Sequence, residues 1–126
     1  MVRRSDGPFS YQLAVVVDDA AQGITHVIRG ADLLDSTPWQ NWLQKLLGYP
    51  IPQYRHIPLA TNEAGEKLSK QTCAEPLDPR DARETLRAAL RFLDQPEAGG
   101  GTPRQILDAA AQQWRWTPKN QIDLQK

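Results

Sequence analysis

The stretch Ile24-Thr25-His26-Val27-Ile28-Arg29-Gly30, followed after six intervening residues by Thr37-Pro38-Trp39-Gln40, decides how this chain is read. The first segment alternates in polarity, with the two-residue period of a strand covered on one face, and it stops at a glycine. The second segment has the grammar of a helix start: a capping hydroxyl, a proline at the first helical position and a glutamine at the third. A helix is expected over 38–47, ending at Gly48, with Trp39, Trp42, Leu43 and Leu46 as its apolar stripe. A second strand is expected from Tyr54 to Leu59. Strand, helix and strand in that order make a βαβ unit, so part of a parallel α/β sheet is expected.

On either side the reading is less even. Leu13-Ala14-Val15-Val16-Val17 has the β-branched content of a buried strand, yet Ser10 could cap a helix there and Gly23 could end it. Periodicity does not choose between them. Beyond residue 78 the pattern is helical. Asp78-Pro79-Arg80-Asp81 starts a helix over 79–94, with Ala82, Leu86, Ala89, Leu90 and Leu93 inward. Thr102-Pro103-Arg104-Gln105 starts another over 103–114, with Ile106, Leu107, Ala110 and Trp114 inward. The polar tail after Trp116 is expected to fray.

The 126 residues suffice for one domain or part of one. Fifteen basic and fifteen acidic side chains give no net charge, so any case for nucleic acid rests on a local patch. Such a patch exists on the helix after Pro79, where Arg80, Arg83, Arg87 and Arg91 share a face. It could follow RNA phosphates, or be a solvated surface in which Glu84 pairs with its neighbours. Cys73 is the only cysteine, which excludes an intrachain disulfide and a cysteine-based zinc site within the chain. No apolar run reaches the ~20 residues of a membrane span, and the start does not read as a signal peptide. A cytoplasmic setting without membrane contact is expected.

Two places carry candidate chemistry. Ligands of open α/β sheets bind beyond the carboxyl ends of the strands. Arg29 sits at such an end, where a guanidinium can grip a carboxylate in two prongs or pair with Asp32 or Asp35. Gly65-Glu66-Lys67-Leu68-Ser69-Lys70 sets two ammonium groups and a hydroxyl in a loop, suited to phosphate charge that shifts during a reaction. The histidines, His26 and His56, are expected to be structural.

Tyr11-Gln12-Leu13-Ala14-Val15-Val16-Val17-Asp18-Asp19, Gly23-Ile24-Thr25-His26-Val27-Ile28-Arg29-Gly30-Ala31-Asp32 and Lys67-Leu68-Ser69-Lys70-Gln71, preceded by Ser5-Asp6-Gly7-Pro8, stand in the order found in the glutamyl-tRNA synthetase family. Over roughly residues 3–77 the chain resembles the second half of that family's class I, Rossmann-type catalytic domain. The resemblance implies a domain part over 1–77, with a KMSKS-like loop at 67–71, and a helical region resembling a stem-contact module over 78–126. It implies a helix at 11–22 in place of a strand. It implies that Tyr11 and Arg29 hold substrate glutamate, that Lys70 contacts ATP (used with Mg2+), and that Lys67 and Ser69 support the loop in catalysis.

Only 56 residues follow Lys70, too few for the anticodon-binding region of a charging enzyme. Ala31-Asp32-Leu33-Leu34 and Gln71 also look more like the short paralogous branch that joins glutamate to queuosine in tRNA(Asp). The partners implied are glutamate, ATP and tRNA(Asp). A tRNA-charging fragment and a non-catalytic tRNA- or protein-binding module are the alternatives.

The resemblance also marks what is not here. The family's first signature, its grip on the glutamate backbone and its zinc ligands belong to an N-terminal half. The chain alone is therefore expected to be inactive, with no metal site of its own and with an uncovered apolar face. Trp39 stands where relatives usually have arginine. It is either ordinary packing or, with Trp42, an aromatic patch.

Overall fold

The computed structural model describes residues 7, 9–69, 73–74, 76–97 and 99–122. In chain order the elements are α1 (Tyr11–Ala21), β1 (His26–Gly30), a 3-10 turn (Ala31–Leu33), α2 (Ser36–Leu47), β2 (Gln53–Ile57), a second 3-10 turn (Pro79–Asp81), α3 (Ala82–Phe92) and α4 (Pro103–Gln113). The chain forms two compact units that divide between His56 and Ile57.

In the first unit the valine run belongs to a helix. Winding Val15, Val16 and Val17 into α1 points them in different directions, so that Val16 is fully buried while Val17 stays exposed. Packing of α1 on α2 outweighs the strand preference of the valines. The helix ends as Gly23 turns left-handed at φ +67°. Its amide then donates to Ala20, and that of Ile24 donates to Asp19, satisfying carbonyls that the helix end would orphan. Gly48, at φ +69°, closes α2 in the same way, with Tyr49 donating to Gln44.

β1 and β2 form a two-stranded sheet. The Gln53 amide donates to Thr25 and the Arg29 side chain reaches His56. Start therefore meets start and end meets end, so the strands run parallel, as a helical crossover requires. β2 begins one residue earlier than expected and ends at Ile57, two residues before Leu59.

α2 departs from expectation in a way that matters for function. It starts at Ser36, so Thr37 lies inside the first turn and makes no cap. Of the expected stripe only Leu43 is buried; Trp39, Trp42 and Leu46 are exposed by 64%, 53% and 62%. The inward face is Thr37, Gln40, Leu43 and Gln44. The helical period holds, but the opposite face turns inward, because polar partners meet the polar residues there.

In the second unit, Thr61 and Lys67 form an antiparallel bridge around a turn in which Asn62 bonds both the amide and the carboxylate of Glu66. The expected 79–94 helix divides into the 3-10 turn, capped by Asp78, and α3. Leu90, Ile106 and Ala110 form the core between α3 and α4, flanked by Leu86 and Ala109. Leu107, expected inward, is exposed. At the start of α4, Thr102 and Gln105 make the reciprocal cap that the sequence announces.

The segment after Trp116 does not fray within the described residues. Asn120, fully buried, donates to the carbonyls of Leu93 and Arg115 and accepts from the Thr117 amide. Asp94 turns left-handed at φ +54° to end α3, and its carboxylate accepts from Thr117 and Lys119.

Two outcomes follow from this packing. Ile106→Ala should lower stability by about 2–5 kcal/mol, because it leaves a hole in a filled core, as read by chemical denaturation. The Thr117 hydroxyl and then the Lys119 ammonium hold the Asp94 carboxyl below its ordinary value. A depressed folded-state value contributes stability above the unfolded carboxylate range and loses it as pH falls through the folded value. Denaturation midpoints between neutral pH and the acid range should therefore fall more steeply for the native chain than for Asp94→Asn, which keeps the left-handed turn.

Candidate functional site

The inward face of α2 meets the end of β1 at Arg29. Nη1 of its guanidinium donates to Gln40 Oε1 at 2.7 Å. Nη2 donates to Thr37 Oγ1 at 2.8 Å and to the Leu33 carbonyl at 3.2 Å. Nε donates to His56 Nε2 at 3.3 Å. Below, the guanidinium carbon lies 4.9 Å from the centre of the Tyr54 ring, close enough for cation–π attraction. Tyr54 is fixed in turn by Gln44, whose amide donates to its hydroxyl at 3.0 Å.

The proton pattern is determined by these contacts. His56 Nε2 accepts from Arg29, so the ring carries its proton on Nδ1. Thr37 Oγ1 accepts from Arg29 and lies 3.1 Å from the same nitrogen, so its hydroxyl and the Arg29 Nε–H share that nitrogen's single lone pair. Beyond Gln40 the chain of amides continues: Gln40 Nε2 donates to Gln12 Oε1 at 2.7 Å, and Gln12 Nε2 donates to Ser36 Oγ at 2.9 Å. Each amide turns its oxygen toward the cation.

Two consequences bear on function. Four of the five N–H groups of Arg29 are occupied, so the expected two-pronged grip on a ligand carboxylate is not available in this geometry; one N–H on Nη1 remains. The alternative expectation, an ion pair with Asp32 or Asp35, is also not met: every partner of Arg29 among the described residues is neutral. The arginine is held firmly while its charge is left uncancelled.

Tyr11, the other residue expected to hold glutamate, opens α1 and is 56% exposed. It adjoins Gln12, so two hydrogen bonds between side chains link its helix turn to Arg29. Lys67 and Ser69 belong to the second unit. Lys67 pairs with Thr61 across the turn, and Ser69 accepts the Ala74 amide at its carbonyl. Lys70 and Gln71 lie outside the described residues. Among the described residues no group of three or more His, Cys, Asp or Glu side chains could hold a metal ion, and no helix is long and apolar enough to cross a membrane.

The basic face of α3 is largely compensated. Arg80 pairs with Asp78, Arg87 with Glu84, and Arg91 with Glu84 and Glu97. These pairs are exposed, and hydrogen bonds from Arg91 and Arg80 hold the carboxyls of Glu84 and Asp78 below their ordinary values.

Sequence reading missed Thr37, Gln40, His56 and Tyr54 as parts of one site. The available signal was the polar set Thr37, Gln40 and Gln44, spaced three and four residues apart on a helix expected to bury its tryptophans.

β1, α2 and β2 make a parallel βαβ unit, the repeating element of open α/β sheets. The profile of the tRNA synthetases class I (E and Q), catalytic domain, matches residues 1–91, and the chain belongs to that family. It is 56% identical over 117 residues to the glutamyl-Q tRNA(Asp) synthetase of Thiobacillus denitrificans, covering 90% of this chain and 39% of that protein. It is 51% identical to the protein of the same name from Acinetobacter baylyi, with 91% and 39% covered. The chain thus spans about two fifths of the length of these curated relatives. Among solved structures it resembles the glutamate tRNA ligase of Elizabethkingia meningosepticum, with a TM-score of 0.61 at 22% identity, covering 90% of this chain and 27% of that one. It also resembles the glutamate-tRNA synthetase of Elizabethkingia anophelis, with a TM-score of 0.57 at 24% identity. These likenesses support the fold.

The hub role of Arg29 can be measured directly. Arg29→Lys keeps the charge but cannot make four fixed, forked bonds. It should lower the stability of the chain by about 1–3 kcal/mol, the cost of leaving buried polar partners unmade, as measured by denaturation.

Proposed function

We propose that this chain is the portion of a glutamyl-queuosine tRNA(Asp) synthetase that holds the substrate side chain and the phosphate loop. The observation that carries the reading is the strand-end guanidinium of Arg29, fixed by four hydrogen bonds to neutral groups. A cation so fixed and left uncancelled in a partly buried site attracts an anion. The side-chain carboxylate of glutamate fits that demand, with the remaining Nη1–H of Arg29 and the hydroxyl of Tyr11 as donors. The high identity to proteins named glutamyl-Q tRNA(Asp) synthetase over 90% of the chain supports the same substrate.

In the proposed reaction an oxygen of the glutamate α-carboxylate attacks the α-phosphorus of ATP. The bond to pyrophosphate breaks, giving glutamyl-adenylate. Lys70, with Lys67 and Ser69 in the same loop, offsets the negative charge that builds on the phosphates as pyrophosphate leaves. A hydroxyl of the queuosine cyclopentene diol then attacks the activated carbonyl, AMP departs, and an ester to the anticodon nucleoside of tRNA(Asp) remains. The rest of the glutamate and adenine grip comes from the part of the protein that relatives possess and this chain does not span. Trp39, Trp42, Leu46 and Ile28, all exposed here, supply apolar surface for covering by that part.

The test is glutamate-dependent exchange of pyrophosphate into ATP by a chimera that joins the N-terminal three fifths of the Thiobacillus denitrificans relative to this chain. Exchange is expected from the chimera and not from the chain alone. Arg29→Ala should lower it at least 100-fold, and exchange untouched by that change would remove Arg29 from glutamate binding. Label from glutamate should enter tRNA(Asp) carrying queuosine and not the same tRNA lacking it. The reverse preference would favour a charging enzyme.

A further inference from the structure

The partners of Arg29 have something in common that packing does not require. Gln40 is fully buried at 2.7 Å from the guanidinium, a position where a glutamate of nearly the same shape would form a stronger, charge-assisted pair. Thr37, His56 and the Leu33 carbonyl complete a ring of neutral groups, and Gln12 stands behind Gln40. Their dipoles solvate the cation as water would, without cancelling its charge. The amide relay also ties Arg29 to the residue that follows Tyr11.

We propose that Gln40 and Gln12 are positioning residues whose neutral amide relay keeps the Arg29 charge available to a ligand carboxylate and sets its place relative to Tyr11. The proposal rests on the glutamate reading above and adds to it the reason this shell contains amides and no carboxylate. Gln40→Glu would place an anion against Arg29. The contact with Arg29 would remain, Gln12 would turn its amide to donate to the new carboxylate, and the ligand would lose the charge it needs. A purely structural role for Gln40 makes the same forecast for stability and the opposite one for binding, namely that the ion-paired variant binds as before.

The decisive variant is therefore Gln40→Glu, examined with Arg29→Ala as the control. In the chimera, Gln40→Glu should raise the KM for glutamate at least tenfold with the KM for ATP within twofold, while the denaturation midpoint of the chain itself does not fall. A glutamate KM within twofold of the unmodified chimera overturns the proposal. Loss of exchange in Arg29→Ala alongside an unaffected Gln40→Glu sinks the relay and leaves the glutamate reading standing. Unchanged exchange in Arg29→Ala, or none from the chimera, sinks the reading and the relay together. The chain alone gives a second measurement by NMR. The Arg29 Nε–H resonance should move when glutarate, a dicarboxylate probe, is titrated into the native sequence, and stay in place in Gln40→Glu. Equal movement in both overturns the proposal, and no movement in the native chain counts against the glutamate reading itself.

Discussion

The guanidinium of Arg29 is the constraint around which the first unit is organised. It reaches from β1 to the turn after it through Leu33, to α2 through Thr37 and Gln40, and to β2 through His56 and Tyr54. Gln12 brings in α1. Each bond is worth little by itself, on the order of 1 kcal/mol net for a typical pair. Leaving any of these buried groups unpaired costs more, so the set is self-enforcing: once the arginine is in place, each element has one register that satisfies it.

This dependence follows from what the unit lacks. Its buried apolar side chains among the described residues are few, Val16, Leu43 and Pro52, and of these Val16 is fully buried. Ile28, Trp39, Trp42 and Leu46 face outward. An ordinary domain obtains its stability from apolar burial, and here much of that surface is unburied while the interior of the βαβ unit is polar. Such an interior suits a binding site in a larger catalytic domain, where the apolar surfaces meet further elements. The second unit differs: α3 and α4 close around Leu90, Ile106 and Ala110, and a buried asparagine ties the following segment to the end of α3.

The polar interior also explains the main failure of sequence reading. Hydrophobic periodicity identified α2 and its length within two residues, because the 3.6-residue repeat and the Gly48 stop are local properties. It chose the wrong face because tryptophan and leucine were assumed to point inward. The burial of Thr37, Gln40 and Gln44 depends on donors from Arg29 and on the accepting hydroxyl of Tyr54, which come from other elements and leave no mark in the helix itself. The cap motif at Thr37 misleads for the same reason: the motif is common, but here the hydroxyl stands two positions past the cap, where it meets a cation. The valine run in α1 was legible through family resemblance and not through propensity.

Local chemistry settled the helix stop at Gly48, the reciprocal cap at Thr102, the strand that carries Arg29 next to its last residue and the loop that bears Lys67 and Ser69. These depend on backbone conformation and near neighbours, which the order of residues encodes directly. Tertiary structure alone decided which face of α2 turns inward, that Arg29 keeps an uncancelled charge with one N–H to spare, and that Gln12 joins it to the turn bearing Tyr11. Those are distances between residues far apart in the chain, and they exist only once the helices have packed against the strands.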